Sequence, residues 1–358
     1  MYFKKLSQAI IILFLLIFTI TGCSIPLETI PEKAKDNIEP VAKTTFLMGT
    51  IVKITIFDKL ENDAVFTKVF DRIEEIENKM TINKNTDKSE IIKLNNAAGK
   101  DFVQLSPETF YVLEKGRHFS VLSNGQFDIT IGPIVKLWNI DKENASVPDD
   151  TLIKNKLPLV NYRNLLLNKT ELKAKLLKEK MIVDLGAIAK GYAADEVAKI
   201  LKENGIKHAI INLGGNILTL GTKPDGTLWR LGLQDPYEPR GDYMAIVKLN
   251  NQTLVSSGTY EKYFEQNGKR YHHIIDPQTG YPAENNLISV SIITRKSIDG
   301  DALSTAIFLL GLEKGMKLIE KSPDTEAIFI TNDKKVYVSS GINEDIFKIV
   351  DDQYKLQK

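Results

Sequence analysis

The chain has 358 residues, 43% of them hydrophobic and 26% charged, the composition of a folded globular protein, which excludes global disorder and collagen-like repeats. Lys and Arg number 47 against 46 Asp and Glu, a formal net charge of +1, so nothing electrostatic favours nucleic acid as a partner. A single cysteine rules out an intrachain disulfide framework and a thiolate zinc site.

Residues 1–22 read as an export signal. Lys4 and Lys5 precede an apolar run from Ala9 to Ile20, interrupted only by Thr19 and shorter than the ~20 residues that a spanning helix prefers. Ile20-Thr21-Gly22-Cys23 then resembles the bacterial lipobox, which implies cleavage before Cys23, lipid on its thiol and new N-terminus, and a lipid-anchored protein on the extracytoplasmic face of the cell membrane. An uncleaved anchor helix is the alternative. Loss of residues 1–22 removes Lys4 and Lys5 and leaves a net charge of −1. Residues 23–43 hold Pro26, Pro31 and Pro40 without alternation and read as a tether. Residues 44–358 read as one mixed α/β domain, since no linker or repeat divides them.

Within that domain, β-branched residues over 45–57 predict a strand or hairpin arm. Helical spacing covers 64–80, and Ser106-Pro107 opens a helix to about Leu122. A short strand at 181–184 leads through a Gly-Ala loop to a helix from Lys190 to Asn204, stopped by Gly205. Strands are expected at 208–213, 216–220, 228–233, 243–249 and 252–256, and Asn267-Gly268 turns a hairpin into 269–276. A strand at 286–294 precedes a helix capped by Ser297 and ended by Gly311, and a last hairpin turns at Asn332-Asp333.

Four segments carry chemistry, and each also admits a plain structural reading. Asp184 to Tyr192, with Gly186 and Lys190, is either an anion-holding strand-to-helix loop or a tight turn bearing a surface lysine. Asn212-Leu213-Gly214-Gly215-Asn216 is a hairpin turn or a close backbone approach to a ligand. In Tyr271–Pro282, His272 and His273 fall on opposite faces of a strand, so one of them at most addresses a given site; a structural histidine is the alternative. No zinc-protease spacing occurs among the four histidines. Asp301 and Thr305, one helical turn apart on an apolar helix, suit either a hard cation or a capping aspartate.

Together these segments resemble the ApbE family, the FAD:protein FMN transferases. The likeness runs in order through Met48-Gly49-Thr50, Gly125-Gln126-Phe127-Asp128, Gly132-Pro133, Leu137-Trp138, Asp184–Tyr192, Asn212–Asn216, Gln234-Asp235-Pro236, Ser256-Ser257-Gly258, His273–Pro282 and Asp301–Thr305. The resemblance implies an α/β fold of mixed and antiparallel sheets flanked by helices. It implies an enzyme that binds FAD with Mg²⁺, splits the diphosphate, and attaches FMN to a Thr or Ser of an extracytoplasmic acceptor protein, releasing AMP. By motif, the Ala187 carbonyl, Asp301 and Thr305 would hold the metal. Met48, Phe127, Asp128, Asp184, Lys190 and the backbone at Ile275 would line the FAD site, and His273 would take the acceptor's proton. A Mg²⁺-dependent FAD diphosphatase and a non-catalytic FAD-binding lipoprotein are the other readings. The chain departs from the pattern at Ser304, where some relatives carry a second Asp, at Thr259, and at Asn83, where many carry an aromatic.

Overall fold

Nine strands form the main sheet, and their order across it follows the chain: β1 (Val41–Leu47), β2 (Thr50–Ile56), β3 (Ala209–Leu213), β4 (Asn216–Leu220), β5 (Thr253–Gly258), β6 (Leu287–Thr294), β7 (Glu326–Thr331), β8 (Lys335–Val338) and β9 (Lys355–Leu356). Neighbours are antiparallel except β8 and β9. The computed structural model describes residues 39–84, 86–140 and 142–357. The export signal, Cys23 and most of the tether lie outside the described residues. Among the described residues, no helix is long and apolar enough to cross a membrane.

β1 begins at Val41, opposite Ile56, and so starts inside the stretch read as tether. It lacks clean alternation because it is an edge strand, bonded on one side only, with Ala42, Lys43, Thr44 and Phe46 exposed. β6 is the opposite case, buried at every position because both of its faces are covered. The period of two is plain in β7, where Ala327 and Phe329 join the core on one face and Ile328 and Ile330 the core on the other.

Four longer helices, α1 (Ala64–Met80), α2 (Pro107–Leu122), α3 (Ala189–Glu203) and α4 (Ser297–Ile319), contribute to the first core. α1 buries Val65, Phe66, Val69, Ile73, Ile76 and Met80, the helical stripe expected from the sequence. Arg72 ties three helices together by donating to Glu196 of α3 at 2.7 Å and to Glu108 of α2. α4 breaks at Gly311 (φ 75°, ψ 176°), where the sequence places its end. Across the other face lies a three-stranded sheet, Trp229–Gln234, Tyr243–Leu249 and Phe347–Ile349, whose Leu231, Leu233 and Val247 pack under Leu254, Ile288 and Ile330. The domain is therefore mixed α/β, with antiparallel and mixed sheets flanked by helices.

Candidate active site

Sheet register gathers the sequence motifs at one end. Met48 (φ 53°) and Gly49 (φ 69°) form the two-residue turn between β1 and β2, with Leu47 opposite Thr50. Gly214 and Gly215 turn β3 into β4 beside them, where Gly214 N donates to Ile51 O at 3.0 Å. A Cβ on Gly214 would stand 2.1 Å from Thr50 Oγ1, so close approach as well as positive φ requires glycine. β5 pairs Val255 with Asn216, which carries Ser256, Ser257 and Gly258 past that turn to the same end. Residues 259–286 then leave the sheet as an excursion before β6. It contains the hairpin Tyr263–Gln266/Lys269–His272, and the backbone and side chain of His273 both bond to Lys262 O.

Asp301 sits in the first turns of α4 and is 4% exposed. Its Oδ2 accepts from Gly191 N at 2.9 Å, and Lys190 Nζ donates to Oδ1 at 3.4 Å and to Gly186 O at 3.0 Å. Gly191 lies in the first turn of α3, whose amides have no carbonyl of their own helix to bond, and Asp301 takes up this one. α3 and α4 can come this close because residue 191 is glycine: a Cβ there would lie 2.2 Å from Ser297 O. One turn further, Ser257 Oγ donates to Ser304 Oγ at 2.8 Å and lies 3.4 Å from Thr305 Oγ1, while Ser304 Oγ donates to Asp301 O at 2.9 Å. Ser257 has only one proton to give, so Thr305 is the donor in the longer contact and its lone pairs stay open to a further partner.

His272 is buried, with Nδ1 accepting from Ile274 N at 3.3 Å and Nε2 at 3.0 Å from Ala283 O, which makes Nε2 its protonated nitrogen. It is a structural histidine. His273 points the other way and is exposed. A carbonyl can only accept, so the 3.2 Å contact of Nδ1 with Lys262 O assigns the proton to Nδ1 and leaves Nε2 as the basic nitrogen. Desolvation by neighbouring protein, helped by the positive charges of Lys262 and Lys190, holds its pKa below the usual histidine value. His273 is therefore mainly neutral at pH 7.

Other residues expected at the site stand differently. Met48 is half-buried at its turn and packs on the core. The Phe127 side chain belongs to the hydrophobic core. Asp128 is occupied within its own loop, with Oδ1 accepting from Thr130 N and Oγ1 at 2.8 and 2.7 Å, and Oδ2 from Tyr162 N at 2.8 Å. Burial nonetheless raises its pKa above the usual carboxylate value. This loop is tied to the lysine segment, since Asp184 N donates to Ile129 O at 2.8 Å, and Asp184 Oδ1 accepts from Gly186 N at 2.8 Å. The Ile275 side chain is buried with Trp138 and Ile134, and Trp138 Nε1 donates to Gly280 O at 2.7 Å, pinning the Asp276–Tyr281 turn.

Two supports escaped the sequence. Ser297 does not cap α4. Asp195 of α3 does so from another element, accepting from Ser297 N at 2.8 Å and Ile298 N at 3.0 Å, while Ser297 Oγ donates to Asn216 Oδ1 at 2.6 Å. The one signal available was the position of Asp195 four residues after Gly191, on the same helical face. Ser257 and Ser304, which flank Thr305, were visible only as residues of a motif.

Among the described residues, no group of three or more His, Cys, Asp or Glu converges. The donors at Asp301 are one carboxylate with hydroxyl and carbonyl oxygens, which fits a hard cation such as Mg²⁺ and not zinc.

The fold sets a buried carboxylate beside a lysine, with a neutral histidine on the excursion that follows β5, polar groups of the kinds enzymes use. The chain belongs to the ApbE family, which matches it over residues 48–329. A FAD:protein FMN transferase of Klebsiella pneumoniae (strain 342) is 38% identical over 294 residues, 82% of this chain and 90% of that protein. One from Treponema pallidum (strain Nichols) is 34% identical over 338 residues, covering 90% and 92%. The ApbE protein of Thermotoga maritima superposes with a TM-score of 0.77 at 29% identity, covering 85% of this chain and 98% of that one. The flavin transferase ApbE of Vibrio cholerae gives 0.76 at 27%, covering 84% and 97%.

Proposed function

We propose that the protein is a Mg²⁺-dependent FAD:protein FMN transferase that acts on an extracytoplasmic acceptor from a lipid anchor at Cys23. The observation that carries this reading is the convergence of Asp301, Lys190 and the Gly186-Ala187 loop at the sheet end that also bears His273. A Thr or Ser hydroxyl of the acceptor attacks the phosphorus on the FMN side of the FAD diphosphate. A new P–O bond to the acceptor forms, the bond to the AMP phosphate breaks, and AMP leaves. His273 Nε2 takes the hydroxyl proton, as a neutral imidazole at pH 7 is able to do. Lys190 sets a positive charge beside the diphosphate. Asp301, Thr305 and the Ala187 carbonyl would hold Mg²⁺, which supplies charge neutralisation for the diphosphate when bound. Met48, Asp184 and the backbone at Ile275 line the FAD side, with Phe127 and Asp128 supporting it from the neighbouring loop.

Incubation with FAD, Mg²⁺ and a candidate acceptor tests this. The expected result is an acceptor heavier by one FMN unit, less water, with one AMP released per transfer. AMP without added mass would identify a diphosphatase, and no AMP at all a carrier.

A further inference from the structure

Asp301 is held by two groups of different kinds. Gly191 N is rigid backbone and fixes Oδ2 at 2.9 Å. Lys190 Nζ is the mobile end of a four-carbon stem, reaching Oδ1 at 3.4 Å and Gly186 O at 3.0 Å. The lysine side chain is 26% exposed and the aspartate side chain 6%, so the cation has a path to solvent and the carboxylate has almost none. A carboxylate this deep needs a counter-charge, and Lys190 supplies it from within the chain.

We propose that Lys190 and a divalent cation are alternative counter-charges for Asp301, and that the lysine passes from the carboxylate to the substrate diphosphate when the cation takes its place. The inference rests on the functional reading above, which puts a metal and a diphosphate at this site. The ammonium and a divalent ion cannot share the Oδ1 edge without strong like-charge repulsion, and the low-dielectric setting sharpens it. Lysine suits such an exchange: it is a point charge on a flexible stem, without the planar fork that commits arginine to one carboxylate. Gly191 N keeps the carboxylate in position while the partner at Oδ1 changes. By linkage, a diphosphate that draws the lysine away tightens the metal, and the metal tightens the diphosphate by the same factor.

Mn²⁺ serves as the probe, counted as free ion by electron paramagnetic resonance, with and without FAD and with no acceptor present. In the wild type, FAD should tighten Mn²⁺ about tenfold, within the usual range of coupling between sites. Lys190→Met should bind Mn²⁺ alone about tenfold more tightly than the wild type and should lose most of the coupling to FAD. Lys190→Gln provides a second neutral variant should the methionine fold poorly, and Lys190→Arg should restore the competition. In EDTA the neutral variants should melt below the wild type, and Mn²⁺ should raise their melting temperature by more. Equal or weaker Mn²⁺ binding by both neutral variants without FAD would overturn the exchange. Asp301→Asn separates the two layers of the argument. If it abolishes Mn²⁺ binding while Lys190→Met leaves the affinity unchanged, the exchange alone fails. If Asp301→Asn binds Mn²⁺ like the wild type, the metal reading fails with it.

Discussion

Gly191→Ala tests the contact that holds the site together, because two physical arguments predict opposite signs for it. Gly191 lies in α3, where alanine is the better helix former by about 0.5–1 kcal/mol. On propensity alone the variant is more stable. In the structure, however, the new Cβ would stand 2.2 Å from Ser297 O, 2.6 Å from Ser297 C and 2.7 Å from Ile298 Cα. All three atoms are backbone at the start of α4, so no side chain can swing aside. The helices must separate, at an overpacking cost of about 1–3 kcal/mol. Separation also weakens the bond from Gly191 N to Asp301 Oδ2, a hydrogen bond to a charged group worth about 1.5–3 kcal/mol. The net expectation is a loss of about 1.5–5.5 kcal/mol after the propensity gain is subtracted. Urea unfolding followed by circular dichroism measures it. Gly116→Ala is the comparison: it meets only side-chain atoms of Ile129, nearest at 2.8 Å, and should cost less. A Gly191→Ala protein as stable as the wild type would refute the close approach of α3 and α4 and the tethering of Asp301 with it.

The pH dependence of stability should carry a signature of Asp195. Burial raises its pKa from 3.8 to about 6, so the folded state binds the proton more tightly than the unfolded one, and stability contributed by this group falls as pH rises from about 4 to about 6. The ceiling is about 3 kcal/mol, and Asp195→Asn should remove that slope from urea midpoints taken across the window; parallel profiles would count against it. His273→Ala should lower FMN transfer by the ~10²–10⁴-fold typical of general-base loss with little change in FAD affinity, whereas His272→Ala should cost stability and leave the chemistry nearly intact. Because the His273 pKa is lowered, any fall in the wild-type rate from protonation of this group should lie below the ordinary histidine value of 6.5, and a decline centred above 6.5 would contradict its assignment. Cys23→Ala should release the protein from the membrane fraction or leave its precursor uncut, and a wild type found chiefly in the cytosol would end the lipoprotein reading.

Local signals made much of the fold legible. The apolar stripe of α1, the Ser106-Pro107 start of α2 and the glycine break at 311 are all written within a few residues, and the structure has each where the pattern puts it. β1 was cut short because an edge strand owes nothing to a second neighbour and need not alternate. The Ser297 cap was misplaced for a different reason. Serine before an apolar helix is a sound local signal, but Asp195 reaches both free amides from 102 and 103 residues away and leaves Ser297 Oγ to Asn216. Phe127 and Asp128 show the converse limit, since a motif tells which residues recur together and not whether they face a ligand or hold the loop behind it.

The site itself follows from register more than from any motif. Because Leu213 pairs with Val52 and Asn216 with Val255, the turn at Gly214 falls level with the turn at Met48, and β5 runs past both to bring Ser257 over α4. A slip of one residue in the pairing of Val255 with Asn216 would reverse the faces of β5 and turn Ser257 away from Thr305. The helix side is fixed just as tightly, by a glycine that lets α3 touch α4 and an aspartate that caps one from the other. Asp301 is therefore held by backbone on a rigid helix pair, while the charge beside it sits on a lysine free to move. The proposed exchange at Asp301 calls on both conditions: a carboxylate that does not relax when its partner changes, and a cation able to follow the substrate.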